Sequence, residues 1–207
     1  MATSPRRPAE PLVFLPGAAG SAAFWRPVAD RLADLGPVHL VGYPGFAGAP
    51  RDPEVRSLDD LYRRVLAGLP PGPCRLVAQS MGGVLATRLA LEAPERVSRL
   101  VLAATSGGVD VARLGGADWR PEYLAERPDV PDWFVRDRTD LDPRLGEVRA
   151  PCLLLWSDAD PVSPLAVGRH LASRIPGSRL VTVAGGTHAF ASERPDEVAT
   201  AIRAFLG

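Results

Sequence analysis

The sequence predicts a single α/β domain over residues 1–207, built on a mostly parallel sheet of about six strands with helices on both faces. Two patterns predict it. Short, wholly apolar runs recur along the chain, and between them lie longer stretches whose apolar residues return every three or four positions. Size is the third observation: 207 residues with 46% hydrophobic content are enough for one sizeable core.

The elements follow in order. Leu12–Leu15 is the first strand candidate, and Phe24, Val28, Leu32 and Leu35 form a helical stripe that stops at Gly36-Pro37. Val38–Val41 is the second strand candidate. Leu58, Leu61, Val65 and Leu69 make the next stripe, with Ser57 as its N-cap and Asp60 three residues on. Arg75–Ala78 is the third strand, leading into a helix over Val84–Glu92. Leu100–Ala103, Cys152–Trp156 and Leu180–Val183 complete the strands. Val167, Leu171 and Ile175 mark one further helix, and Val198, Ile202 and Phe205 mark the last. Unbroken apolar runs, rather than alternating ones, are what strands covered on both faces require.

One segment breaks the alternation. Residues 107–149 hold Trp119, Tyr123, Trp133 and Phe134 among ten acidic residues, seven arginines and several prolines. It is too long for a plain crossover, so we expect a lid insertion. Its excess of acid offers no basic face to an acidic carrier protein.

Composition excludes several classes. All 24 basic residues are arginine and are balanced by 24 acids, which argues against a nucleic-acid partner or an anionic membrane surface. No apolar stretch approaches the length of a membrane span, and Leu12–Leu15 is too short for a signal core, so a cytoplasmic protein is expected. Cys74 and Cys152 have no CxxC spacing, and the chain has three histidines, so neither a metal site nor a disulfide framework is expected.

Ser80 follows a strand and opens a helix in Ala78-Gln79-Ser80-Met81-Gly82, a loose form of the G-x-S-x-G turn that presents a serine hydroxyl at a helix N-terminus. A hydroxyl needs a base within reach. His188 stands on the glycine-rich loop after the last strand, whereas His39 lies within a strand pattern and His170 within a helix. The base needs an acid to hold its tautomer. Trp156-Ser157-Asp158-Ala159-Asp160-Pro161 follows the fifth strand; Asp160 is preferred, Asp158 is its rival and Asp110 a more remote one.

With these residues the chain resembles the α/β-hydrolase superfamily, specifically its small serine carboxylesterases. The order Ser80, Asp160, His188, each after a successive strand end, carries the resemblance, which runs from Pro11 to Leu206. Phe14-Leu15-Pro16-Gly17-Ala18 with the later Trp25 resembles the oxyanion loop, Pro16 replacing the usual histidine. Tyr43-Pro44-Gly45-Phe46-Ala47-Gly48 stands where members often read Asp-x-Pro-Gly-His-Gly. The resemblance implies that the backbone amides of Ala18 and Met81 form an oxyanion hole and that no cofactor is needed. It implies a small-molecule ester or thioester substrate, cleaved through an acyl-enzyme. The first sheet strands usual in the family have no counterpart before Leu12, and the lid is short. An open pocket lined by Trp25, Met81, Trp119, Trp133 and Phe134 is therefore expected. The same scaffold hosts perhydrolases, haloperoxidase-like enzymes, lyases, carbon–carbon hydrolases and non-catalytic ligand binders, which remain the rivals. Epoxide and haloalkane hydrolases are disfavoured, because they carry Asp in the place of Ser80.

Overall fold

The computed structural model describes residues 9–18 and 20–207. Its centre is one all-parallel sheet of six strands: β1 (Leu12–Leu15), β2 (Val38–Leu40), β3 (Cys74–Gln79), β4 (Val97–Ala103), β5 (Cys152–Ser157) and β6 (Arg179–Val183), in the order β2-β1-β3-β4-β5-β6. All six apolar runs of the sequence are strands. The four inner strands are buried almost throughout, while β2 and β6, at the edges, are only partly covered and leave His39 exposed. An edge strand lacks a neighbour on one side, so fewer of its residues sit under helices.

The helices are α1 (Arg26–Arg31), α2 (Leu58–Ala67), α3 (Met81–Glu92), α4 (Arg120–Glu126), α5 (Trp133–Arg136), α6 (Leu165–Arg174), α7 (Phe190–Glu193) and α8 (Pro195–Leu206). Alternation along each strand divides the core in two. Val13, Leu15, Leu76 and Ala78 face the layer of α2, α3 and α6, where Leu61, Leu85 and Leu171 are fully buried. Leu12, Phe14 and Val77 face the opposite layer, against Trp25, Val28, Leu32, Phe190, Val198 and Ile202 of the first and last helical segments. The start of α2 is capped as its sequence predicts. Ser57 Oγ accepts from the Asp60 amide at 3.0 Å, and the Asp60 carboxylate in turn accepts from Ser57 Oγ at 2.7 Å and the Arg56 amide at 3.1 Å.

The crossover between β4 and β5, residues 104–151, holds α4 and α5 between 3₁₀ turns at Ala112–Leu114 and Asp142–Glu147. Tyr123, Val135, Leu141 and Leu145 are buried into the α2/α3/α6 core. Aromatic rings pack around them, with Phe134 stacked on Trp119 at 5.1 Å and edge-on to Phe46 and Tyr123. Among the described residues no helix is long and apolar enough to cross a membrane.

Candidate active site

Parallel strands end on the same side of a sheet, and here the ends of β3, β5 and β6 bring three polar side chains together. Ser80 stands between β3 and α3 with φ 52° and ψ −123°, a backbone region that residues with a Cβ rarely adopt. Its surroundings hold it there. Its N–H donates to Ala103 O at 3.2 Å, and its carbonyl accepts from Thr105 Oγ1 at 2.6 Å and from the Gly83 amide at 2.9 Å. The small residues beside it answer to close approach. A Cβ at Gly82 would lie 2.5 Å from Pro16 O and 2.6 Å from Leu15 O, and one at Gly83 would lie 2.4 Å from Thr105 Oγ1. Ala78, by contrast, is an ordinary buried residue of β3, so the turn has no need of glycine there.

His188 Nε2 lies 3.1 Å from Ser80 Oγ, and His188 Nδ1 lies 2.7 Å from Asp160 Oδ2. Asp160 is 3% exposed, and its other oxygen accepts from the amides of Val162 at 2.8 Å and Ser163 at 3.1 Å. An ionised carboxylate only accepts, so Nδ1 carries the proton and Nε2 is left as the acceptor facing the serine. Asp158 is exposed and accepts from the Gly185 amide at 2.6 Å, and Asp110 is exposed and accepts from the Ala112 amide at 3.1 Å. Of the three acids, Asp160 alone contacts His188. His170 sits on α6 against Asp142 at 2.9 Å, on a different element from these residues.

Two further residues hold the histidine loop. Ser157 Oγ, fully buried at the end of β5, donates to Gly186 O and accepts from the amides of Gly186 at 3.0 Å and Ala159 at 3.1 Å. Gln79 Nε2 donates to His188 O at 3.1 Å. Sequence reasoning assigned neither role. A small polar residue closing an apolar strand just before the acid loop was the available signal for Ser157, and a lone buried glutamine beside the serine was the signal for Gln79.

The loop after β1 passes directly over the serine. A Cβ at Gly17 would lie 2.8 Å from Ser80 Cβ. Gly17 O accepts from the Gly20 amide at 3.1 Å, closing a turn that includes Ala18. On the other side, the Met81 amide is in the first turn of α3, where amides have no intrahelical acceptor and the helix dipole is positive.

A cleft of about 710 Å³ opens over Ser80 and His188. Leu58, Met81, Val84 and Val109 contribute its apolar surface, and Trp119 and Phe134 wall it from the crossover. Two residues expected to line the pocket stand elsewhere. Trp25 is 1% exposed on the opposite face of the sheet, where its Nε1–H donates to Leu15 O at 3.0 Å and its ring packs on Phe14 and Phe24. It braces the end of β1 from below. Trp133 packs edge-on against Phe46 and is not among the residues lining the cleft. A rim of charge surrounds the opening, with Asp110, Asp118 and Asp137 beside Arg113 and Arg138.

Comparisons with known proteins agree with this architecture. A family profile described as alpha/beta hydrolase fold matches residues 10–143, and one described as TAP-like protein matches residues 122–207. A pimeloyl-[acyl-carrier protein] methyl ester esterase of Aeromonas hydrophila is 29% identical, with 95% of each chain covered. That alignment runs over 243 positions against the 207 residues here, so the relative has internal segments that this chain lacks. A 2-hydroxy-6-oxononadienedioate/2-hydroxy-6-oxononatrienedioate hydrolase of Burkholderia vietnamiensis is 32% identical over 83% of this chain and 78% of its own. Among solved structures, a hydrolase of Pseudomonas aeruginosa superposes with a TM-score of 0.79 at 25% identity, covering 96% of this chain and 90% of its own. With a profile that spans more than half of its length and a solved hydrolase that superposes over 96% of it, the chain belongs to the α/β-hydrolase superfamily.

Proposed function

We propose that the protein is a serine hydrolase that cleaves carboxylic esters, thioesters included, through an acyl-enzyme. The observation that carries the reading is the unbroken hydrogen-bonded chain from buried Asp160 through His188 to the strained Ser80. Ser80 Oγ attacks the acyl carbonyl as His188 Nε2 takes its proton. Asp160 holds the imidazole in the tautomer that leaves Nε2 free and stabilises the imidazolium that forms. The amides of Ala18 and Met81 receive the oxyanion, an interaction strongest in the transition state. The intermediate collapses as the imidazolium protonates the leaving alkoxide or thiolate, and water, activated by the neutral imidazole, then releases the acid.

Residues 107–149 act in this reading as a short lid. The half-apolar cleft suits a small-molecule ester with a modest acyl chain resting on Met81, Val84 and Trp119. Likeness to a methyl ester esterase supports ester hydrolysis as the chemistry to test first. The test is a panel of p-nitrophenyl esters from acetate to decanoate together with a fluorophosphonate probe. Turnover and labelling that vanish in Ser80→Ala are expected. Absence of both in the unaltered protein would sink the reading in favour of a ligand-binding protein.

A further inference from the structure

The lid and the oxyanion loop are joined by one hydrogen bond. Tyr123, on α4, donates its hydroxyl proton to the carbonyl of Ala18 at 3.0 Å, within the buried interior. Among the described residues it is the only side chain that hydrogen-bonds the backbone of residues 16–18. Among the described residues the turn it holds is closed by one backbone bond, Gly20 N–H to Gly17 O at 3.1 Å, and it has glycine at both ends. Glycine gives a turn freedom, so its pose depends on outside ties. Little slack is available, because Gly17 is pressed against both Gln79 and Ser80.

The tyrosine itself is firmly placed. Its ring is edge-on to Trp119 at 5.6 Å and to Phe134 at 5.2 Å, and the Arg127 guanidinium lies over it at 5.1 Å. Trp119 and Phe134 are the aromatic walls of the cleft. The bond therefore ties the wall that would meet an acyl group to the loop that would receive its oxyanion. We propose that Tyr123 is a positioning residue that sets the Ala18 amide for the oxyanion, making the lid a part of the reaction machinery and not solely a filter for substrates. This rests on the serine hydrolase reading above. Burial pushes the Tyr123 phenol up to about 12, so the donor keeps its proton wherever ester hydrolysis is assayed.

Tyr123→Phe removes the bond and keeps the ring. Removing an oxyanion donor outright costs on the order of 10²–10³ in rate, and a donor that is loosened rather than lost costs a part of that, about tenfold in kcat. KM for p-nitrophenyl butyrate should stay within about twofold, because ground-state contacts persist. Inhibition by 1-butaneboronic acid, which mimics the tetrahedral adduct, should weaken by the same factor as kcat/KM, while inhibition by butyramide stays unchanged. Tyr123→Met also lacks the hydroxyl and should show the same split if the Phe variant fails to fold. A kcat and boronate affinity equal to those of the parent would overturn the proposal, as would a rise in KM alone, which assigns Tyr123 to the cleft wall. The two readings fail separately: a parent protein that is inert to ester and fluorophosphonate removes both, whereas an active parent with an indifferent Tyr123→Phe removes this one only.

Discussion

Replacing Asp160 with asparagine tests the proposed chemistry at its most buried point. The geometry dictates how the new amide must sit. Asp160 Oδ1 accepts two backbone amides, from Val162 and Ser163, so an oxygen has to remain there. The NH2 then occupies the place of Oδ2 and points a donor at His188 Nδ1, where the carboxylate now accepts at 2.7 Å. Two donors cannot face each other, so the imidazole moves its proton to Nε2 and presents N–H to Ser80. A histidine in that tautomer cannot take the serine proton. The expected loss in kcat is about 10⁴-fold, or about 5.4 kcal/mol of transition-state stabilisation. Asp158→Asn is the matched control, since its exposed carboxylate accepts only from the Gly185 amide, which an amide oxygen can also satisfy. It should stay within about threefold of the parent. Initial rates with p-nitrophenyl butyrate and the rate of fluorophosphonate labelling measure both variants. If Asp160→Asn kept more than about a tenth of the parent rate, or if Asp158→Asn were the one to fail, the tautomer argument would be wrong.

Strain at Ser80 predicts an inversion of the usual order of stability: Ser80→Gly should unfold at a higher urea midpoint than Ser80→Ala, by about 1 kcal/mol, because glycine adopts φ 52° without penalty. Gly82→Ala should destabilise by about 1–3 kcal/mol, lowering the calorimetric Tm by several degrees, and should slow turnover, because its Cβ presses on the Leu15 and Pro16 carbonyls where the oxyanion loop begins. Burial pushes the Cys74 thiol up to about 11 and the Cys152 thiol up to about 12. The unfolded chain therefore releases these protons first, and the stabilisation present below about pH 9 is lost as pH rises towards 11–12. Urea unfolding from pH 8 to 10 should show that fall, and a Cys74→Ala, Cys152→Ala variant should flatten it there, the fall above pH 10 persisting because burial also raises the Tyr62 and Tyr123 phenols. Native protein at pH 8 should also resist thiol reagents until it is unfolded.

The sheet was legible because every strand is an apolar run, and an apolar run is what a strand under helices on both faces must be. Strand ends were less so. β4 begins at Val97, which pairs with Cys74, and includes Arg99, which pairs with Arg75, and between them Ser98, the extra residue of a register shift; neither polar residue carries a hydrophobic signal. Ser80, Asp160 and His188 were legible from their place after strands, since a parallel sheet gathers its strand ends on one side. Trp25 and Trp133 were misread for one shared reason. An aromatic ring is equally at home in a core or a cleft, and the chain's local pattern does not reveal which face of the sheet a helical segment will cover. Ser157, Gln79 and Tyr123 bond to partners far along the chain, so only the fold could bring these contacts out.

The way the site is tied together ranks its parts by how independently they form. Asp160 and His188 leave neighbouring strands, β5 and β6, and Ser157 knots their loops through both the carbonyl and the amide of Gly186. That half is held by one adjacent strand pair. Ser80 stands across β4, and its hydroxyl meets the histidine only if β3, β4 and β5 hold register, as the Ser80 amide does on Ala103 and the Ala104 amide on Leu155. Gln79 then spans the gap from the Ser80 side to the His188 backbone. The loop after β1 comes last in this order, because among the described residues its turn is closed by a single backbone bond and tethered by one side chain from a crossover more than a hundred residues away. Local opening should therefore begin at the loop and the lid, and leave the Asp160–His188 pair intact for longest. Hydrogen exchange that deprotected the Gly185–His188 amides before those of residues 16–18 and α4 would contradict that order.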